Sequence, residues 1–142
     1  MDTRCTSVLI IEPHPLMREA LRATVVLEPG LQLLEPSAMD PDAFPLVTSN
    51  QDDVLFLSSK PDLILLSLGN LGLGDLKTLT ELRKTMPDAY ILALTPDELP
   101  WQNQTALKHG AHAVIPKSVS REELLETLRS IHTYSRGITQ AV

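Results

Sequence analysis

Glu12, Ser67, Thr95 and Lys117 each stand at the end of a short apolar run, and Pro13 and His14 follow the first of them. A carboxylate, an imidazole and a hydroxyl gathered at one end of a sheet are the parts of a nucleophilic site, with Glu12 orienting His14 and His14 activating Ser67. Ser67 lies in no Gly-x-Ser-x-Gly turn and His14 falls at the start of a helix, so hydrolase chemistry is set aside. Gly69, Gly72 and Gly74 follow Ser67, but their G-x-x-G-x-G order fits neither the dinucleotide nor the P-loop fingerprint, which leaves them a turn-forming role. His109 and His112 flank a helix-ending glycine and His132 is remote, so no histidine cluster of metal-binding spacing is present. Cys5 is the single cysteine and reads as an inert thiol.

The elements that position these groups follow from periodicity. Val8 to Ile11 is a buried strand closed by Glu12. Pro15 suits the first turn of a helix, and Leu16, Ala20, Ala23 and Leu27 at i, i+4, i+7 and i+11 predict its sheet-facing stripe. Pro29-Gly30 ends that helix and Leu31 to Leu34 gives a second strand. Pro36, Pro41 and Pro45 mark an irregular excursion over 36–45, with a helix expected near Gln51 to Ser58. Asp62 to Ser67 is the third strand, followed by the glycine loop and a helix burying Leu79, Leu82 and Met86. Tyr90 to Leu94 is the fourth strand, Trp101 to His109 a helix stopped by Gly110, and Ala113 to Lys117 the fifth strand. The last helix opens on a capping box, Ser120 and Glu123, and buries Leu124, Leu128 and Ile131. Five βα units in alternation predict an α/β fold, a parallel sheet covered on both faces, and a single domain over 1–142.

Composition agrees with a globular domain: 142 residues, 43% apolar and 21% charged. Twelve basic and eighteen acidic residues give a net charge of −6, the wrong sign for collecting phosphates, so direct nucleic-acid binding is not expected. The apolar runs are far shorter than the ~20 residues of a membrane span and the N-terminus has no export core, so the cytoplasm is the expected location.

Four segments together carry a family likeness: Val8-Leu-Ile-Ile-Glu12-Pro-His-Pro-Leu-Met-Arg-Glu-Ala-Leu21, Pro61 to Ser67, Ile91 to Thr95, and Gly110 to Lys117. In this order and spacing they resemble the receiver domain of two-component response regulators, most closely those of LuxR/NarL-type transcriptional regulators, over about residues 7–133. The resemblance implies a CheY-like, flavodoxin-like three-layer αβα sandwich with a five-stranded parallel sheet of order 2-1-3-4-5. It also implies that an aspartate ending the third strand takes a phosphoryl group with Mg²⁺. By the same resemblance Thr95 and Lys117 match the hydroxyl and lysine that sense the phosphoryl group, and Glu12 matches the first of two Mg²⁺-holding acids. Pro13 stands where the second acid belongs, Ser67 where the phosphorylated aspartate belongs, and Val114 where an aromatic switch residue belongs.

These departures predict a weak or absent Mg²⁺ site, no other cofactor, no phosphotransfer at Ser67 and no enzymatic activity, since one carboxylate is a poor octahedral donor set. Glu12 and Lys117 are expected to form a buried structural ion pair, whose disruption would cost ~3 to 5 kcal/mol, against the alternative that Lys117 extends into solvent. The expected function is that of a phosphorylation-independent receiver acting through protein contacts, with transcription as its output through a further domain. A homodimer is expected through the fourth helix, fifth strand and fifth helix, on a face carrying Trp101, Leu107 and Val114. The rival reading is a flavodoxin-like sensor of a small ligand or anion. Residues 134–142 read as a tail or the start of a linker of the kind that leads to a helix-turn-helix domain in such regulators.

Overall fold

The computed structural model describes residues 5–36, 42–47, 54–69, 73–96 and 99–141. Pro41, Gly72 and the start of the helix expected from Gln51 lie outside them. Among the described residues seven strands and four helices follow in the order β1 (Thr6–Ile11), α1 (Pro15–Val26), β2 (Leu31–Leu33), β3 (Phe44–Val47), β4 (Val54–Leu57), β5 (Leu63–Ser67), α2 (Leu73–Thr85), β6 (Tyr90–Thr95), α3 (Pro100–Lys108), β7 (Ala113–Pro116) and α4 (Arg121–Ala141).

Five of the strands form a parallel sheet in the order β2-β1-β5-β6-β7, the 2-1-3-4-5 order of the flavodoxin-like fold. Their apolar runs alternate between two faces, so each strand feeds two cores. Leu9, Ile11, Ile64, Leu66 and Ile91 point toward Leu79, Leu82 and Met86 of α2 and Ala106 of α3. Val8, Ile10, Leu63, Leu65, Leu92 and Leu94 point toward Leu21 and Val25 of α1 and Leu124, Leu128 and Ile131 of α4. Helices on both faces make the three-layer sandwich. Ser120 Oγ accepts the Glu123 N–H at 3.1 Å, as the capping-box spacing predicts.

Two expectations are corrected. The helix near Gln51 to Ser58 is replaced by β4, which pairs antiparallel with β3 in a separate two-stranded sheet. Val54-Leu-Phe-Leu57 is a run of strand-forming residues, and Leu57 anchors it, fully buried, in the α2-side core. Pro45 lies in β3, one strand of a two-stranded sheet among the described residues and so an edge strand, where proline is tolerated. The stripe on α1 is also rotated. Leu16 is 88% exposed and Leu27 67%, while Leu21, Thr24 and Val25 are buried. Those three, with half-buried Met17, also follow helical spacing, and the bulkier branched set takes the sheet. The last helix, α4, runs to Ala141, through most of the stretch read as a tail or the start of a linker.

Candidate functional site

The carboxyl ends of β1 and β5 open into a cleft of ≈ 560 Å³, where ligands bind in open α/β sheets. Glu12 leaves β1 with its side chain turned inward, 3% exposed. Its Oε1 accepts the His14 N–H at 3.0 Å, which ties down the link between β1 and the Pro15 start of α1. One turn into α1, Arg18 Nη1 donates to the Glu12 carbonyl at 3.1 Å. Ser67 closes β5 at 8% exposure. Among the described residues Glu12 Oε2 and Ser67 Oγ have no hydrogen-bond partner.

Four of the residues expected at this site, Glu12, Pro13, Ser67 and Lys117, line the one cleft, and His14 joins them. Thr95 ends β6 fully buried, and its carbonyl accepts the Lys117 N–H at 2.7 Å, so it fixes the lysine's backbone from beneath. Val114 is half-buried against the α2-side core. Trp101, 53% exposed, and Leu107 lie on α3 away from the cleft lining. Six residues of helix rotate about 240°, so these two side chains do not share one stripe.

Sequence reasoning missed Asp75, Arg18 and Arg22, which also line the cleft. Asp75 was legible as an acid in the first turn of α2, behind the glycine loop, and its Oδ2 accepts the Gly69 N–H at 2.9 Å. Arg18 and Arg22 stand four apart and so share a face of α1. Arg22 is paired with Glu35 and Glu19.

The expected Glu12–Lys117 ion pair is not formed; the ion pairs among the described residues are Arg22 with Glu19 and Glu35, and Arg129 with Glu28. Glu12 is held deep by a backbone N–H, whereas half-buried Lys117 keeps contact with water through its long stem. A Ser67–His14 couple is absent too: Ser67 Oγ has no partner and His14 is exposed. His109 Nδ1 lies 2.9 Å from the Thr105 carbonyl, within its own helix. His112 packs at the opposite end of the sheet, where its Nδ1 accepts the Ile91 N–H.

The Mg²⁺ that the receiver likeness implies would need about six oxygens in near-octahedral array. Pro13 supplies no side-chain oxygen, one oxygen of Glu12 is engaged by His14, and Asp75 caps the Gly69 N–H. Among the described residues no three acids, histidines or cysteines converge. That donor set does not fit the ion.

No family model matches the chain. It is 31% identical over 125 residues to a nitrate/nitrite response regulator protein homolog of Haemophilus influenzae, covering 87% of this chain and 55% of the relative. It is 31% identical over 123 residues to the nitrate/nitrite response regulator NarP of Escherichia coli, covering 87% and 53%. The chain thus spans about half the length of the curated relatives it matches. In structure it resembles the signal receiver domain of the response regulator NarL from Mycobacterium tuberculosis, with a TM-score of 0.66, 17% identity and coverage of 92% of this chain and 98% of that one. The sheet order, the position of the cleft and these relatives converge: the chain has the CheY-like fold of response regulator receiver domains and has homologues among the NarL- and LuxR-type response regulators.

Proposed function

We propose that this receiver works in two-component, phosphorelay-type signalling without being phosphorylated, and passes its signal through protein contacts. The observation that carries the reading is Ser67, buried at the end of β5 with no partner for its hydroxyl, where the family places its phosphoryl-accepting aspartate. Acyl-phosphate formation requires a carboxylate there, and a serine without a neighbouring base is a weak nucleophile at neutral pH. Pro13 in place of the second acid removes the metal that would organise the transfer.

In this reading Thr95 and Lys117 are retained as architecture. Lys117 is held by the Thr95 carbonyl, and that bond links β6 to the end of β7. The conformation is set by the fold or by a partner, rather than by a phosphoryl group. Relatives named as nitrate/nitrite response regulators are about twice the length of this match, which supports an output domain as partner and transcription as the process served. The cytoplasm is the corresponding location, and among the described residues no helix is long and apolar enough to cross a membrane. Homodimer contacts are assigned to α3, β7 and α4. Trp101 supplies an exposed aromatic anchor there, the residue type that most often dominates interface energetics.

The test is incubation with acetyl phosphate and Mg²⁺ followed by intact-mass measurement. No phosphoryl adduct is expected. An adduct removed by Ser67→Ala, or by changing any other single residue of the cleft, overturns the reading.

A further inference from the structure

We propose that the cleft binds a small organic zwitterion, a free amino acid with an apolar side chain, whose ammonium group lies between Glu12 and Ser67. This deepens the reading above and rests on it, since the same pocket cannot also serve phosphoryl transfer. Glu12 and Ser67, each more than nine-tenths buried, line the same cleft, and Glu12 Oε2 and Ser67 Oγ, both shut off from solvent, have no hydrogen-bond partner among the described residues. Buried polar atoms left unsatisfied are costly, and a donor that reaches them from the cleft removes that cost.

The chemistry of the donor follows from what surrounds it. A divalent cation is disfavoured by the shortage of oxygens, whereas an ammonium group needs only three acceptors, two of which stand here. Arg18 and Lys117 also line the cleft and neither has an ion-pair partner among the described residues. A ligand bearing only positive charge would meet these cations, and one bearing only negative charge would meet Glu12 and Asp75. A molecule carrying both charges answers both sets. Leu33, Leu34 and Pro36 form an apolar wall on the β2 side, suited to an aliphatic side chain. The volume of ≈ 560 Å³ far exceeds that of a phosphate and lies within the ~300–1,000 Å³ of small-molecule clefts.

The test is an amide NMR titration of the 142-residue chain with L-leucine, L-valine, L-methionine and L-phenylalanine. Isoamylamine and 4-methylpentanoate serve as leucine without its carboxylate and leucine without its amine. Saturable shifts from at least one amino acid at Glu12, Ser67 and Leu33 are expected. For leucine, either half-molecule should bind about tenfold or more weakly, and Glu12→Gln should weaken leucine by a similar factor. Ser67→Ala gives a second, smaller loss that does not depend on Glu12→Gln folding normally. No saturable shift from any of the four at about 10 mM overturns the proposal, as does 4-methylpentanoate binding as well as leucine. A parallel titration with Mg²⁺ and beryllofluoride separates the two levels. Saturable shifts at the cleft there defeat the phosphorylation-independent reading and this proposal with it; silence there together with silence from the amino acids defeats only the proposal.

Discussion

At the amino ends of β1 and β5, Ser7 and Asp62 are bound reciprocally. The Ser7 N–H and Oγ both donate to Asp62 Oδ2, at 3.0 and 3.1 Å, and Ser7 Oγ accepts the Asp62 N–H at 2.9 Å. Asp62→Ala removes a charged acceptor from two donors and should cost ~1 to 3 kcal/mol in urea unfolding. Lys117→Ala should leave the unfolding midpoint within ~0.5 kcal/mol of the parent, because no ion pair is lost and the lysine is only half-buried. His112 behaves differently. Burial first, and then the neighbouring Arg83 guanidinium, hold its imidazole below the usual value of 6.5. The unfolded chain therefore binds its proton at higher pH than the folded one does. Its contribution is complete above about pH 6.5 and is lost as the pH falls toward the folded value. A His112 ring titration by NMR should show its midpoint below 6.5, and His112→Gln should flatten the acid-side loss of stability. Among the site residues, Glu12 and Ser67 were legible because they end apolar runs. The failed Glu12–Lys117 pairing was not, since sequence shows that two charges share a sheet end but not that a backbone N–H has already taken one of them.

Elements were legible in proportion to how one-sided their patterns are. β5 and α2 read directly, because Leu63 to Leu66 is an unbroken apolar run and Leu79, Leu82 and Met86 leave no second choice of face. On α1 two apolar stripes compete, Leu16/Ala20/Ala23/Leu27 and Met17/Leu21/Thr24/Val25, and spacing alone cannot rank them. Volume does: the second set presents Leu and Val where the first offers two alanines, so it buries more area against the sheet. Leu21→Ala should accordingly cost ~2 to 5 kcal/mol, while Leu16→Ala should change stability by less than ~0.5 kcal/mol, both read from denaturant midpoints. The missed hairpin has another cause. A four-residue apolar run next to prolines carries no period that separates strand from helix, and the decision is made by the single core slot that Leu57 fills. Gly110 was read as a helix stop, and its φ of +128° is the conformation that makes glycine the natural occupant.

For the molecule as a whole, alternation made the parallel sheet legible, and the resemblance of the four motifs to receiver domains implied its strand order. The cleft's full lining was not, because it joins residues from β1, α1, β2, β5 and α2 that lie far apart in the chain. A ligand that binds only the folded state stabilises it by RT ln(1 + [L]/Kd). Adding Mg²⁺ at about 10 mM should therefore leave the thermal midpoint unchanged apart from a general salt effect, matched by Ca²⁺ or by sodium chloride of equal ionic strength. A Mg²⁺-specific rise would show that the donor set is better than its geometry indicates.

The polar fastenings of the sheet are unevenly distributed along its strands. Ser7 with Asp62, Thr6 with His132, and Ile91 with His112 all close the amino ends, whereas the carboxyl ends of β1 and β5 carry two unsatisfied oxygens, those of Glu12 and Ser67, and border an open cleft. The sheet is tied across strands by side chains along one margin, like a book along its spine, and more loosely held at the other, where the side-chain bonds of Glu12, Arg18 and Asp75 stay within one stretch of chain. Opening fluctuations are expected to begin at Ile11, Glu12 and Ser67 and to die out toward Thr6 and Asp62, a gradient that amide exchange rates would trace residue by residue. Anything that fills the cleft slows exchange at the loose margin most, and so converts occupancy into stiffness along the whole length of β1 and β5.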